Sequence, residues 1–231
     1  MQQLSGQDAM FLHAEIDGLP QHIGGVSIYD QSTAPGGKVR FKQILAMLES
    51  RLHLSPIFRR KLAFVPYGLG RPYWLEDPDF DLEYHVRHSA LPKPGDWRQL
   101  CILAARIHSV PLRRDKPMWE MYVIEGLNNV EGYPEGCFAL LLKVHHCAMD
   151  GATGTQFMNI VHDLTPETTD PGNPPPWIVE RPSRARMLGR AYLDAWRKPG
   201  QALDFVKESI PAFLRVRKSR KEGDIHFIED K

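Results

Sequence analysis

Residues 145–151 (HHCAMDG) bring together the side-chain types that general-base catalysis on a hydroxyl group requires. A neutral imidazole has a pKa near neutrality, which suits it to remove a proton from an alcohol. Side chains of adjacent strand residues point to opposite faces, so His145 and His146 should have different tasks, one facing the scaffold and the other a cavity. Asp150 can fix the loop or a tautomer, and Gly151 gives the turn its backbone freedom.

Other interpretations of this segment are open. Buried histidines are often packing elements, and Asp-Gly is a common turn. Cys147 could be an acyl-accepting nucleophile, although a small buried cysteine is the commoner case. A metal site has weak support, because adjacent strand residues cannot both reach one ion and only His162 could add a further ligand. We therefore predict that the protein binds no metal.

Strands and helices alternate along the part of the chain that would position these residues. The segment 137–145 (CFALLLKVH) is almost entirely apolar, which is typical of a central strand. Helices are predicted from apolar residues at helical spacing, and Ser5 is a candidate cap for the first of them. The predicted helices cover 8–15, 41–52, 97–109 and 151–164, and the predicted strands cover 24–29, 86–91, 121–124 and 137–145. This alternation indicates a layered α/β or α+β fold.

Composition excludes several classes of protein. The chain has 231 residues, 42% of them hydrophobic and 25% charged, which is the mixture of a folded protein with a sizeable core. A net charge of +1 argues against a general nucleic-acid binder. Three cysteines cannot form a disulfide framework and indicate a reducing compartment. The first ten residues lack the features of a signal peptide, and no apolar run approaches the ~20 residues of a membrane span, so we predict a cytoplasmic location.

The charge is distributed unevenly along the chain. Residues 181–221 contain twelve Lys/Arg and three Asp/Glu, a net charge of +9, so the remainder carries −8. This segment could be a solvated helical face, or it could contact anionic lipid or the phosphates of coenzyme A. An aromatic pair, Tyr192 and Trp196, would suit a helix at a lipid interface, and a further helix is predicted over 203–214, with a kink at Pro211. The candidate contacts are Arg184, Arg186, Arg190 and Arg197.

Several blocks of this sequence resemble a known family. HHCAMDG resembles the HHxxxDG motif of CoA-dependent acyltransferases related to chloramphenicol acetyltransferase. The surrounding blocks are similar to bacterial wax ester synthase/diacylglycerol acyltransferases, although Arg113 stands where that family usually has Asp, Cys147 where Ala is common, and the family's second half with its Asn-Asp motif is absent. These blocks are LSGQDAMFLHAE (4–15), PIFRRKL (56–62), RPYWLEDPDFDLEYHV (71–86), ALPKPG (90–95) and PLRRDKPMWEMYVIEGL (111–127).

The resemblance implies a fold and a reaction. The fold would be a chloramphenicol-acetyltransferase-like sandwich forming one half of a two-lobed enzyme, with an N-terminal lobe over 1–169, a Pro-rich linker over 170–183 and a basic helical segment over 184–231. A long-chain acyl-CoA would be a substrate and no cofactor would be needed. His146 would deprotonate a fatty alcohol or diacylglycerol, whose oxygen would attack the thioester directly.

The resemblance also implies supporting roles and partners. His145 would support the turn, Asp150 would have a structural, orienting role, and Gly151 would form the turn. The block that contains Pro111, Leu112, Pro117, Trp119 and Glu120 would shape the fold rather than take part in chemistry. The expected partners are the two substrates, the missing C-terminal half, and a peripheral position at the inner membrane or on lipid inclusions; no nucleic acid is expected. The alternatives are a related acyltransferase with another acceptor and a non-catalytic protein that coats lipid inclusions.

Overall fold

The computed structural model of the chain describes residues 1–16, 18–149, 157–163, 165 and 169–197. Within these ranges the strands form one four-stranded and one three-stranded sheet. The strands are β1 (Gln2–Gln3), β2 (His22–Tyr29), β3 (Arg60–Ala63), β4 (Tyr73–Glu76), β5 (Val86–Ala90), β6 (Trp119–Leu127) and β7 (Cys137–His145). The helices are α1 (Gly6–Ala14), α2 (Phe41–Arg51), α3 (Leu82–His85), α4 (Trp97–Ser109), the described part of α5 (157–161) and α6 (Arg184–Arg197).

The four-stranded sheet places the histidine segment at the end of an inner strand. Its order is β2-β7-β6-β5, so the strand predicted to be central does lie inside the sheet, with the predicted bounds. Strand β7 runs antiparallel to both β2 and β6, while β5 and β6 are parallel. Because both of its neighbours hydrogen-bond to it, the end of β7 is a rigid point from which to present a side chain.

Helices α1 and α4 begin where the sequence provides a cap. The Ser5 hydroxyl oxygen accepts a hydrogen bond from the Asp8 backbone N–H at 3.0 Å. At the start of α4, Asp96 and Gln99 form a capping box, in which each side chain accepts from the other residue's backbone N–H. Ser5 thus caps the first helix as predicted, and α4 has the bounds predicted from its apolar periodicity.

Both faces of the four-stranded sheet are covered. On one face Phe138 and Val144 pack against α2 and α5. On the other face Ala139 and Leu141 pack against α4, whose buried side chains include Leu100 and Ile107. The sheet therefore separates two apolar layers, which is the layered fold that the alternating pattern predicts.

The three-stranded sheet, ordered β1-β4-β3, holds the start of the chain and α6. Strands β3 and β4 have four residues each. Because they are so short, the sequence indicates only short apolar segments here. The Tyr73 hydroxyl donates to Asp194 of α6 at 2.7 Å, Ala191 packs against Tyr73, and Met187 of the same helix is also buried. Helix α6 therefore docks on the lobe.

The segment 170–183, predicted to be a linker, has no regular structure and also contacts the lobe, with the Arg59 guanidinium 3.9 Å from the centre of the Trp177 ring. The helix predicted over 203–214, with its kink at Pro211, lies outside the described residues, as does most of the one predicted over 151–164. None of the helices in the described ranges is long and apolar enough to cross a membrane.

Candidate active site

The two adjacent histidines occupy different environments. His145 is the last residue of β7, and its side chain is completely buried. His146 begins a short 3-10 turn over His146–Ala148 and is only partly buried. The expectation that the two rings have different surroundings is therefore correct, and the turn, more than strand alternation, sets the direction of His146.

Main-chain hydrogen bonds hold this pair from both sides. The His145 N–H donates to the Met118 carbonyl at 2.9 Å, and the His146 N–H donates to the Gln21 carbonyl at 2.8 Å. The Met149 N–H then donates to the His146 carbonyl at 3.3 Å and closes the turn. The backbone of His146 is thus fixed by segments far apart in the sequence, as a catalytic group requires.

The ring of His146 lies flat on the ring of Phe11 from α1. Their centroids are 3.8 Å apart and their planes differ by 11°. The Nδ1 atom of His146 is buried, and no group in the described ranges forms a hydrogen bond with it. Stacking fixes the plane of the imidazole without a hydrogen bond to either of its nitrogen atoms, so the ring can be oriented and still exchange a proton.

His145 belongs to a buried charged network with Glu15 and Arg114. Its Nδ1 accepts a hydrogen bond from the Cys147 N–H at 3.1 Å, so a neutral His145 carries its proton on Nε2, which lies 3.5 Å from a Glu15 carboxylate oxygen. Arg114 donates to the same oxygen from Nη2 at 2.9 Å and from Nε at 3.2 Å. Burial raises the pKa of Glu15, but His145 and Arg114 outweigh burial and lower that pKa to about 2.

This network connects α1 to the turn. Arg114 also donates to the Leu12 carbonyl at 3.2 Å, so its guanidinium holds both the end of α1 and the carboxylate after it. Glu15 in turn accepts from the Gln21 N–H at 3.4 Å, and Gln21 is the residue whose carbonyl binds the His146 N–H. His145 therefore contacts the scaffold that positions His146, and its supporting role stays a prediction.

The block around Trp119 packs next to the same turn. Trp119 is fully buried, pairs with Val144 across β6 and β7, and donates from its indole N–H to the Phe58 carbonyl at 3.0 Å. Leu112 and Pro117 are buried as well, whereas Pro111 is exposed. Burial in the packed core therefore accounts for Leu112, Pro117 and Trp119. It does not account for Pro111.

Glu120 forms a second buried charged cluster, on the face of the sheet that α4 covers. Its carboxylate lies 3.2 Å from the ammonium of Lys143, a side chain with no exposed surface. Lys143 also donates to the Ile107 and Val110 carbonyls at the end of α4, and the Tyr122 hydroxyl donates to Glu120. Burial lowers the pKa of Lys143 and Glu120 opposes that effect. The cluster joins sheet to helix, which is consistent with a structural role for Glu120.

Two of the competing interpretations find no geometric support. Cys147 is buried, its Sγ lies 3.7 Å from the Met118 sulfur, and burial raises the pKa of its thiol, all of which disfavour a thiolate nucleophile. His162 hydrogen-bonds to the Tyr29 hydroxyl and to the Met158 carbonyl rather than approaching His146. Across the part of the chain that the structure describes, no group of three or more His, Cys, Asp or Glu could hold a metal ion.

The remaining predicted site residues are separated from this turn or undescribed. Asp150 and Gly151 lie outside the described residues. Arg184, Arg186, Arg190 and Arg197 are all exposed on α6, which docks on the other sheet. Their proposed contacts with lipid or coenzyme A stay predictions.

Sequence reasoning assigned no role to Phe11, Glu15 or Arg114. All three lie inside the blocks that resemble the acyltransferase family, at 4–15 and 111–127. Their place in these blocks was the one sequence feature that could have indicated a role. Their contacts with the histidine turn join residues about a hundred or more positions apart in the sequence, which no local pattern reveals.

Comparisons with known proteins show what this chain is similar to. The catalytic-domain profile of the wax ester synthase/diacylglycerol acyltransferases matches residues 4–224. A Mycobacterium tuberculosis protein named "Probable diacylglycerol O-acyltransferase tgs3" is 36% identical over 229 residues, which are 96% of this chain and 80% of that protein. A second relative from the same species, Rv3087, is named for the same activity and is 34% identical over 228 residues, 97% of this chain and 46% of its own length.

Solved structures show the same fold. The wax ester synthase/diacylglycerol acyltransferase from Marinobacter aquaeolei VT8 superposes with a TM-score of 0.54 at 33% identity, over 68% of this chain and 37% of that chain. The first condensation domain of the calcium-dependent antibiotic synthetase superposes with a TM-score of 0.53 at 14% identity, over 69% of this chain and 36% of its own. The fold is therefore the chloramphenicol-acetyltransferase-like one that was predicted, and the chain spans less than half the length of these two proteins and of Rv3087.

Proposed function

The chain belongs to the wax ester synthase/diacylglycerol acyltransferase family, and from this premise we propose that it transfers a long-chain acyl group from acyl-CoA to a hydroxyl group. The acceptor is a fatty alcohol, which gives a wax ester, or a diacylglycerol, which gives triacylglycerol. The observation that carries the proposal is the partly buried His146 ring, which is stacked on Phe11 at the end of an inner strand and whose backbone is held by main-chain hydrogen bonds.

In the proposed reaction His146 is the general base. It takes the proton from the acceptor hydroxyl as the oxygen attacks the thioester carbonyl, and the tetrahedral intermediate then collapses to the ester. The CoA thiolate leaves and receives the proton from His146. No acyl-enzyme, metal or cofactor is needed. A positioned base contributes roughly 10²–10⁴-fold, so orientation of the substrates and stabilisation of the oxyanion supply the rest.

The test is release of thiol from palmitoyl-CoA with hexadecanol and, separately, with a diacylglycerol as acceptor. His146→Ala should lower turnover at least ~100-fold and lower the melting temperature only slightly, because the ring is partly buried and its loss removes one aromatic contact. His145→Ala should retain more activity, and His88→Ala, a matched control on the far edge strand β5, should retain nearly all. Near-normal turnover by His146→Ala would exclude this mechanism.

We further propose that full activity requires a second lobe that completes the site, and that this chain alone has only a fraction of it. The support is the length of the relatives, since the chain spans 37% of the solved Marinobacter protein, although it spans 80% of the mycobacterial tgs3. Addition of the C-terminal lobe of the Marinobacter protein should raise His146-dependent turnover of the 231-residue chain. Full activity from the monodisperse chain alone would show that one lobe is enough.

We also propose that the protein works at a lipid surface, where both acceptors are found. Helix α6 supports this, because the outward Tyr192 and Trp196 are 64% and 73% exposed beside exposed arginines. Aromatic rings next to cationic side chains favour the boundary between lipid headgroups and acyl chains. Binding to anionic vesicles tests this proposal.

A further inference from the structure

An apolar cavity lies on the face of the four-stranded sheet that α2 and α5 cover. Its volume is about 180 Å³, and its lining includes Leu140 and Leu142 of β7, Met121 of β6, and Met158 of α5. The cavity is partly open to solvent, since Ile23 and Met158, which line it, are 38% and 41% exposed, but its walls are mainly apolar. Water gains little from such a space, whereas a hydrocarbon ligand would gain contacts along its length.

Gly25 of β2 is one of the residues that line the cavity. Gly25 pairs directly with Leu142, so a side chain at position 25 would point to the same face as Leu142 and into the cavity. A Cβ built at Gly25 meets no atom within 4 Å, and its backbone is not in the left-handed region. Neither backbone geometry nor close packing therefore requires glycine here. Because glycine has no side chain, the space beside position 25 stays open.

The cavity begins next to the catalytic turn and extends away from it. Met149 lines the cavity and its N–H donates to the His146 carbonyl, whereas His146 itself is adjacent to the lining and not part of it. Leu142 and Leu140 lie roughly 13 and 20 Å before His146 along the strand. At the far end the Tyr29 hydroxyl and His162 hydrogen-bond to each other, which satisfies the two polar groups there.

We propose that this cavity holds the unbranched alkyl chain of a substrate while its reactive end lies at His146. The inference rests on the proposed acyl transfer and names where one chain binds. Met121, Met149 and Met158 supply flexible, polarisable walls that adapt to a chain that bends. The chain could belong to the acyl-CoA or to the alcohol, and the experiment separates these two sources.

The experiment compares Gly25→Leu, which fills the cavity, with Val26→Leu, which adds bulk at the next position of the same strand. Val26 pairs with Leu141, so its side chain points to the opposite face, and it does not line the cavity. Binding of palmitoyl-CoA, butyryl-CoA and hexadecanol is measured by calorimetry for the full 231-residue chain. Gly25→Leu should lower the affinity for palmitoyl-CoA or for hexadecanol at least tenfold. Its affinity for butyryl-CoA should stay within twofold of that of the parent. The ligand that weakens identifies the source of the chain.

Palmitoyl-CoA and hexadecanol affinities that both stay within twofold would overturn the proposal, as would equal losses in Val26→Leu. If Gly25→Leu does not fold, Met158→Trp fills the same space from α5 and is judged by the same criteria. His146→Ala separates the two proposals. If His146→Ala loses turnover while Gly25→Leu binds both long-chain ligands unchanged, the proposal that the cavity binds a chain is wrong and the proposal of acyl transfer stands. If Gly25→Leu weakens only the long-chain ligands but no turnover depends on His146, the proposal of acyl transfer is wrong and the proposal that the cavity binds a chain stands.

Discussion

The imidazole of His146 is stacked on the phenyl ring of Phe11, with centroids 3.8 Å apart and planes 11° from parallel. Phe11 belongs to the first helix and His146 to the turn after the strand Cys137–His145. An aromatic partner restricts rotation of the imidazole while making no demand on its nitrogens. We therefore regard Phe11 as a positioning residue for the proposed base.

Phe11→Leu should reduce kcat about tenfold and change KM little. The substitution keeps an apolar side chain but removes the ring contact, and an aromatic pair contributes about 0.5–1.5 kcal/mol beyond its buried area. Steady-state kinetics with palmitoyl-CoA measure the two constants separately. Phe64→Leu is the control, because Phe64 is 49% exposed. Equal kcat values for Phe11→Leu and the parent would show that the stack does not orient the base.

Glu15→Gln should lower the free energy of unfolding at pH 7 by about 2 kcal/mol, since it removes charged hydrogen bonds from Arg114. The folded-state pKa of Glu15 is lowered to about 2 from an ordinary value of 4.5. Its contribution is therefore complete above pH 4.5 and is lost as the pH falls toward 2. Denaturant unfolding at pH 7, 4 and 3 should show the parent and the variant converging.

The exposed Glu49→Gln on α2 is the control for Glu15→Gln and should show no such convergence. A parent–variant difference that stays constant between pH 7 and pH 3 would mean that Glu15 is not held ionised by Arg114 and His145. Turnover at pH 7 should also fall in Glu15→Gln, because the carboxylate contacts the segment that holds His146.

Local pattern was enough to predict some parts of this fold. The strand at 137–145 is revealed by a run of almost entirely apolar residues, and α4 by apolar spacing. The strands β3 and β4 are too short for periodicity to separate them from loops. Their pairing depends on partners in other segments, which hydrophobic pattern does not encode.

The candidate site shows the same limit. The base could be proposed from HHCAMDG alone, because residue chemistry is visible in the sequence. The residues that orient it could not, since Glu15 meets Arg114 and His145 only after three separate segments have packed together. Likewise, no local pattern distinguishes Gly25 from another strand glycine, because the open space beside it depends on how other segments pack.

Cys147→Ala should keep nearly full activity, and the Cys147 thiol should resist alkylation in the folded protein. Burial and the nearby carboxylates of Asp8 and Glu15 raise its pKa, so very little reactive thiolate forms. Cys101 is exposed and serves as the internal control. Mass spectrometry after iodoacetamide treatment should find Cys101 modified and Cys147 unmodified. Rapid labelling of Cys147 with parallel loss of activity would revive the nucleophile interpretation.

Helix α6 has two faces with different roles. The inner face docks through Met187, Ala191 and the hydrogen bond between Asp194 and Tyr73. The outer face exposes Tyr192 and Trp196. Because docking uses only the inner face, residues of the outer face can be changed without undoing the fold, which makes the surface hypothesis testable.

Combined Arg184→Glu, Arg186→Glu and Arg197→Glu should weaken binding to anionic vesicles roughly 100-fold, at about 1 kcal/mol per cation lost, and should flatten the dependence on salt. Arg190 is left intact, because it lies 3.7 Å from the Asp194 carboxylate that docks the helix. The control carries the same charge change at the exposed Lys42, Lys93 and Arg98 and should bind as the parent does. Vesicle cosedimentation at several salt concentrations measures both quantities. Equal affinities and salt slopes for the two triple variants would show that the basic face of α6 contacts solvent and not the lipid surface.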